Sequence, residues 1–425
     1  MEFSKSLPTR STGPAQDLAS RERAPGLGIF LGLLVMLQVS QVLLYPPGSN
    51  VSPYYWVTGV LRPTLYAGVT LQTWVFMALA AVCAIGVARM PGYSEGLRIG
   101  WIGAGLFVLT LPALINTISL GRTADGLGKL ILPVLVYVYL APRTRGSGAS
   151  ALRGCITFVN IFSVAQVLMS KLLTGSFSAN RYYLELREEY FGYYHHPFAL
   201  AGVLSVCSIL ALHEILNGRR RPLNLVLLVC NLWLIYESQV RTYAVALGIA
   251  LLVAAVGALI AARRAQHLWI LGLAVVAVLP WIPSLSVGAS RVTDDVSSGR
   301  LERWTQNLDV YAGQNWISRI LFGGGPGAIL DVNQELFERA VSSLNLFIDL
   351  MVDYGLLGLL AFLGVWVHIH RHAHARHQGP HAVALGVFLV SGAFLTNTFE
   401  FPAVTILYAT ALAAIACDPP QEVSP

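Results

Sequence analysis

Long apolar runs separated by short polar breaks dominate the chain. Runs of the length that crosses a bilayer core of about 30 Å lie near 27–45, 66–88, 99–118, 127–141, 154–173, 196–216, 223–237, 241–262, 268–284, 345–369, 382–397 and 403–417. As one helix, the 223–262 stretch would measure about 60 Å. Its polar break, Glu237-Ser238-Gln239-Val240-Arg241, is therefore expected at a tight turn between two spans. The pattern predicts an all-α polytopic membrane protein of about 12 transmembrane helices, with both termini on one side. Two intervening segments, 174–195 and 285–344, are too long to be mere connectors. Helical periodicity returns within the second, where Leu301, Trp304, Leu308 and Tyr311 recur at i, i+3, i+7 and i+10. Beside that apolar stripe runs a polar one, Arg300, Arg303 and Asn307. A glycine corner follows at 321–327, and a helix from about Ala328 is expected before the tenth span, leading to it.

Composition agrees with this reading. Hydrophobic residues make up 55% of the 425 and charged ones 12%, against about 25% charge in a soluble domain. That balance excludes a large water-soluble enzyme, a disordered chain and a disulfide scaffold. The five cysteines (Cys83, Cys155, Cys207, Cys230, Cys417) show no CxxC or other metal spacing and sit in or beside apolar runs, as small hydrophobes. Residues 1–26 are polar and rich in Ser, Pro and Arg, and are expected to form a disordered cytoplasmic tail. Residues 27–417 form a single transmembrane domain, and 418–425 a second short tail. The first apolar run is too long for a signal-peptide core, and Pro46-Pro47-Gly48 offers no small-x-small cleavage site, so it reads as an uncleaved span.

Charge fixes the expected orientation. Of the 28 basic residues, 25 are arginine. With the N-terminus inside, sixteen Lys/Arg fall in the tails and in the loops 89–98, 142–153, 217–222, 263–267 and 370–381. Seven acids share that side, which gives +9 there and −3 on the other. Every odd–even alternation agrees with the positive-inside rule. Both termini are therefore expected in the cytoplasm.

The external segments hold the candidate chemistry. The first runs from Asn180-Arg181-Tyr182-Tyr183 through Glu185, Arg187, Glu188 and Glu189 to Gly192-Tyr193-Tyr194-His195-His196-Pro197. Its tyrosines suit either an interfacial aromatic belt or a sugar-stacking platform. In the second, Leu321-Phe322-Gly323-Gly324-Gly325-Pro326-Gly327 lacks the GK[ST] of a Walker loop. It could serve as a flexible corner between helices or offer backbone N–H groups to an anion. Glu400, before the last run, is a further external carboxylate with no distinguishing feature beyond a hydrated turn.

Four stretches, in this order, resemble the O-antigen ligase and Wzy-type polymerase superfamily of bacterial inner membranes. The stretch 192–201, Gly-Tyr-Tyr-His-His-Pro-Phe-Ala-Leu-Ala, is similar to the family's Gly-x-Phe-x-x-Pro-Asn-x-Leu-Ala. Glu237 to Thr242 is similar to its Ser-x-Ser-Arg turn, with looser spacing. Ser298-Gly299-Arg300-Leu301-Glu302-Arg303-Trp304 and the glycine corner resemble its Ser-Gly-Arg-x-x-x-Trp and Gly-x-Gly-x-Gly stretch. Ser343-Leu344-Asn345-Leu346-Phe347 through Val352-Asp353-Tyr354-Gly355-Leu356-Leu357-Gly358 resembles its His-Asn-x-x-Leu…Glu-x-Gly-Leu-Leu-Gly helix start. Together they cover about 180–360.

The resemblance implies a metal-independent, GT-C-like glycosyltransferase without cofactor, acting on a glycan carried by undecaprenyl diphosphate at the periplasmic face. Its partners would be that lipid-linked glycan and the bilayer, with a chain-length regulator or export machinery as further candidates and no nucleic acid. Fixed guanidinium groups can stabilise a leaving diphosphate without a metal, and arginine is always charged and bidentate toward phosphate. The residues this points to for catalysis are Arg300, Arg241, Arg181 and His196. Arg187, Arg291, Arg303, Glu188, Glu189, His195 and Asn345 are expected to bind substrate. Ligases carry a histidine before that asparagine; here the position is Leu344, which can neither take nor orient a proton. Arg181 to Gly192 fits the polymerase branch's Arg-x10-Gly pattern, although 300 to 311 ends in Tyr. Polymerisation of lipid-linked repeat units is the reading favoured, and transfer of finished polymer to lipid A core is the alternative.

A twelve-span transporter is the competing class. The loop 89–98 lacks the Asp-Arg of major-facilitator carriers, and paired broken helices are missing from the pattern. Six of the ten histidines lie in 368–381. Their i, i+4 pairs, 368/372 and 370/374, could hold a metal ion, but no Cys or acid accompanies them, and a charged, lipid-facing loop is expected there.

Overall fold

The computed structural model describes residues 24–40, 64–66, 69–89, 97–116, 120–143, 147–175, 177, 197–238, 240–262, 300–313, 317–337, 342–377 and 380–417. Among them, eleven helices coincide with eleven of the twelve apolar runs: α1 (Ala24–Val39), α2 (Leu71–Ala88), α3 (Ile99–Ile115), α4 (Leu120–Leu140), α5 (Ser147–Thr174), α6 (Pro197–Leu216), α7 (Arg221–Glu237), α8 (Arg241–Ala262), α12 (Leu346–His377), α13 (Pro380–Thr396) and α14 (Pro402–Ala416). Three shorter helices, α9 (Arg300–Ala312), α10 (Ile317–Phe322) and α11 (Ala328–Phe337), precede α12. The run 268–284, residues 1–23 and 418–425, and most of 174–195 lie outside the described residues. A two-stranded antiparallel pair, β1 (Thr64–Tyr66) and β2 (Val69–Thr70), precedes α2; the hydropathy pattern gave no sign of it.

Among the described residues, three helices are long and apolar enough to cross a membrane: Gly148–Leu173, Phe198–Leu216 and Leu346–Arg376. Large apolar side chains point outward, among them Phe107, Leu114, Leu172 and Val390, while Asn160, Ser163, Ser205 and Ser208 are buried inside. An apolar exterior around polar interior groups is what a membrane-embedded helical protein requires. At the centre stands α14, buried at every position from Ala403 to Ala416. Its alanines let neighbours approach closely. Against it lies α6, where a Cβ on Gly202 would fall 2.7 Å from Val404 Cγ2.

Helix ends gather into two sets. At one, Gln38 Nε2 donates to the Ala403 carbonyl (3.1 Å), joining the end of α1 to the start of α14. At the other, Arg376 Nη1 (3.2 Å) and Cys417 Sγ (3.6 Å) reach the Ala141 carbonyl, and Arg143 Nη2 reaches that of Gly86 (3.0 Å). Glu214 there meets Arg153 and Arg219 at 3.6 and 3.4 Å. This second end, the basic end, holds Arg143, Arg153, Arg219 and Arg376, described residues of the loops that the charge pattern assigned to one side.

One expectation needs correcting. The segment 370–377 is helix, not loop: α12 runs on to His377. His372 Nδ1 pairs with the Tyr137 hydroxyl (2.8 Å), His370 Nε2 with the Tyr408 hydroxyl, and His381 packs edge-on to His213. Buried imidazoles stay in a helix when hydroxyls of neighbouring helices satisfy them. These histidines point to separate neighbours, and no group of three metal-ligating side chains occurs among the described residues. The helix expected from about Ala328 is α11, which runs to Phe337 and precedes α12 at Leu346.

Candidate functional site

The end of the bundle opposite the basic end is organised around Ser342-Ser343-Leu344-Asn345. Ser342 Oγ accepts the Leu344 N–H and Ser343 Oγ that of Asn345, both at 3.1 Å. These short side-chain turns hold Leu344 at φ +61°, a conformation costly for a residue with a Cβ. Asn345 Oδ1 accepts the Phe347 and Ile348 N–H groups (3.0 and 3.3 Å), so the buried asparagine is the N-cap of α12. Asp349 fixes the loop from below: Oδ1 accepts the Ser343 N–H (2.9 Å), and Oδ2 accepts from Asn397 Nδ2.

The glycine corner is a packed joint. Gly355 breaks α12 with φ +68° and ψ −175°, leaving its carbonyls at 352–353 available. The Gly324 and Gly325 N–H groups donate to the Val352 and Asp353 carbonyls, both at 2.8 Å. The Asp353 carboxylate accepts the N–H groups of Gly327 (3.0 Å) and Ile329 (2.8 Å), capping the start of α11. Here the glycines are required: a Cβ on Gly323 would lie 2.4 Å from the Asp353 carbonyl oxygen, and one on Gly355 2.3 Å from that of Leu321. Gly324, Gly325 and Gly327 thus spend their N–H groups on α12 and not on a bound anion.

Helix α9 lies over this floor. Trp304 Nε1 donates to the Ser343 carbonyl (2.8 Å), and its ring meets Phe394 edge-on at 5.4 Å. Arg303 Nη1 reaches the Ser342 carbonyl at 3.5 Å, with the guanidinium 5.4 Å from the Phe337 ring centroid. The packed face is rotated from the expected stripe. Leu301 and Leu308 are exposed, whereas Trp304, Asn307 and Tyr311 turn inward. Tyr311 donates its hydroxyl to the Ile320 carbonyl, and burial pushes its pKa up. Asn307 is fully buried, and neither amide atom has a hydrogen-bond partner among the described residues. Arg303 Nε is in the same position. Arg303 and Asn307 therefore face into the protein with unused hydrogen-bonding capacity among the described residues.

Glu400 completes this end. It lies on the 3-10 turn Thr398–Glu400, partly buried, with its carboxylate hydrogen-bonded to the Ser342 side chain. Burial raises its pKa; the Ser342 hydrogen bond and the nearby charge of Lys129 oppose that rise, and Asp125 reinforces it. Ser342 is thus shared: its carbonyl receives Arg303 and its side chain meets Glu400. Next to that turn, Phe401 stacks on Phe198 (6.1 Å), and Phe198 meets Tyr243 (6.3 Å). These three rings bring together the start of α6, the start of α8 and the Glu400 turn. Arg241, exposed, is the first residue of α8. Arg300 is the first residue of α9. Arg181, Arg187, Glu188, Glu189, His195, His196 and Arg291 lie outside the described residues, as does the spacing from Arg181 to Gly192.

Searches against protein-family models and curated proteins find no match to this chain. The geometry itself adds Asp349, Asp353, Asn307, Ser342 and Glu400 to the residues selected from sequence. Asp353 and Asn307 lay inside stretches already singled out, but their roles depend on partners 24 or more residues away or on burial, which one sequence does not show. Chemically, this end combines a fixed polar floor, the Arg303 guanidinium, Arg241 at the start of α8, an amide without a partner among the described residues and a partly buried carboxylate. Such a set suits a polar, anionic, hydroxyl-rich ligand.

Proposed function

We propose that the chain is a polysaccharide polymerase of the bacterial inner membrane. In this reading it joins undecaprenyl-diphosphate-linked oligosaccharide repeat units into O-antigen, capsule or exopolysaccharide at the periplasmic face. Its twelve spans form a GT-C-like domain with both termini in the cytoplasm. The observation that supports this most is the convergence of the motif stretches: α9, the glycine corner, the Ser342–Asn345 loop and the starts of α6 and α8 meet at the end away from the basic residues.

The reaction breaks the bond between the anomeric carbon of the growing chain and its diphosphate, and forms a bond from that carbon to a hydroxyl of the incoming repeat unit. Negative charge develops on the departing diphosphate, where Arg300 and Arg241 stabilise it. Arg303 and Asn307 supply hydrogen bonds to the glycan or its phosphates from the inward face of α9. The acceptor hydroxyl releases a proton. Among the described residues Glu400, with its pKa raised by burial, is the carboxylate suited to take it. Leu344, where a ligase has histidine, favours polymerisation over transfer to lipid A core.

Arg300→Ala and Arg241→Ala are each expected to abolish polymer while protein levels in the membrane stay normal. Immunoblots of surface polysaccharide beside blots of the tagged protein check this. Full-length polymer made by both variants would remove the diphosphate clamp from the account.

A further inference from the structure

Near the basic end, α3 and α12 flank a cavity of about 940 Å³. The two helices touch at Gly105, where a Cβ would fall 2.5 Å from Val365 Cγ2, while a Cβ at Gly364 would meet nothing within 4 Å. Its walls there are apolar, and Trp101 and Leu360, which are 67% and 55% exposed, open it to the outer surface of the bundle. Its mouth differs in character. Arg98, Arg371 and Arg376 line it with two histidines, and no carboxylate does so among the described lining residues.

The mouth is held in shape by the protein. The Arg98 backbone N–H donates to His368 Nε2 (3.1 Å), which ties the start of α3 to α12. Arg376 is anchored to the Ala141 carbonyl (3.2 Å). Arg98 and Arg371 remain exposed, and neither has an ion-pair partner among the described residues. Helix α3 begins at this point, and the positive end of its dipole adds to the attraction for an anion.

A basic mouth that opens into an apolar slot on the membrane-facing surface matches an amphiphile with an anionic head. We propose that the cavity binds one anionic phospholipid, its phosphate against Arg98 and Arg371 at the start of α3 and an acyl chain between Trp101 and Leu360. Length selects the ligand. From Arg371 to Leu360, α12 rises about 16 Å, close to one leaflet of a hydrocarbon core of about 30 Å. A polyprenyl chain would overrun the slot several times. This site lies at the opposite end of α12 from the Ser342–Asn345 loop and does not depend on the polymerase reading.

The test uses the purified full-length protein in detergent, with phosphatidylglycerol and phosphatidylcholine as probes, followed by native mass spectrometry and thermal unfolding. Phosphatidylglycerol should persist as a one-to-one adduct and raise the unfolding temperature more than phosphatidylcholine does. The Arg98→Gln/Arg371→Gln double variant should bind it about thirty-fold more weakly, the loss expected for two arginines near a phosphate. Gly364→Leu, which fills the slot and keeps the arginines, should also lose the adduct. Equal binding of the two lipids, undiminished phosphatidylglycerol binding by either variant, or preference for a polyprenyl phosphate over phosphatidylglycerol would overturn the proposal.

Discussion

At the scale of single residues, the site is defined by polar groups whose partners lie far away in sequence. Asn307 is the exception. Burying an amide without hydrogen bonds costs about 1–3 kcal/mol, and both of its amide atoms have no partner among the described residues. Asn307→Leu, which keeps the same branched shape without the polar atoms, is expected to leave the unfolding temperature unchanged or raise it while polymer production falls. Thermal unfolding and polysaccharide blots on the same variant separate the two effects, and unimpaired polymer would assign Asn307 no part in the site. Glu400 leads to a prediction about pH. Burial raises its pKa, so the folded state favours the protonated form. The stability it contributes is complete below the ordinary glutamate value of about 4.3 and is lost as pH rises through the higher folded value. Glu400→Gln should lack that decline, which unfolding temperatures of the two proteins across a pH series would show. Little of this was legible from sequence. The stripe Arg300, Arg303, Asn307 could be drawn from periodicity, but that Arg303 and Asn307 turn inward depends on the contacts of Trp304 with Ser343 and Phe394.

At the scale of elements, the joint between the glycine corner and the broken turn of α12 holds α9–α11 against the bundle. Gly355 sits at φ +68° and ψ −175°, a region open essentially to glycine alone. Gly355→Ala is therefore expected to cost about 3 kcal/mol or more, visible as a large drop in unfolding temperature and a loss of polymer. Wild-type stability in that variant would show that the joint is not needed. The sequence offered two readings of the glycine run, a flexible corner or an anion contact. The structure shows a third use, N–H groups donated to Val352 and Asp353. That outcome was out of reach because it depends on where α12 breaks, and the 345–369 run read as one uninterrupted span. Hydrophobic periodicity did locate the helices: the turn expected at 237–241 separates α7, ending at Glu237, from α8, starting at Arg241. It failed at 370–377, where histidines bonded to Tyr137 and Tyr408 keep a charged segment helical.

At the scale of the whole molecule, two chemically different ends account for the charge pattern. Of the arginines assigned to one side from their loops, the described Arg143, Arg153, Arg219 and Arg376 gather at the basic end, around the Gly86 and Ala141 carbonyls and Glu214. At the other end the motif stretches meet around Ser342. The proposed polymerase separates these roles, with topogenic charge and a phospholipid seat at one end and glycan transfer at the other. The most direct test of the central claim is to delete the gene and to extract and size the undecaprenyl-linked glycans that accumulate. The account predicts single repeat units on undecaprenyl diphosphate and no long chains. Finished polymer accumulating on undecaprenyl diphosphate would contradict it.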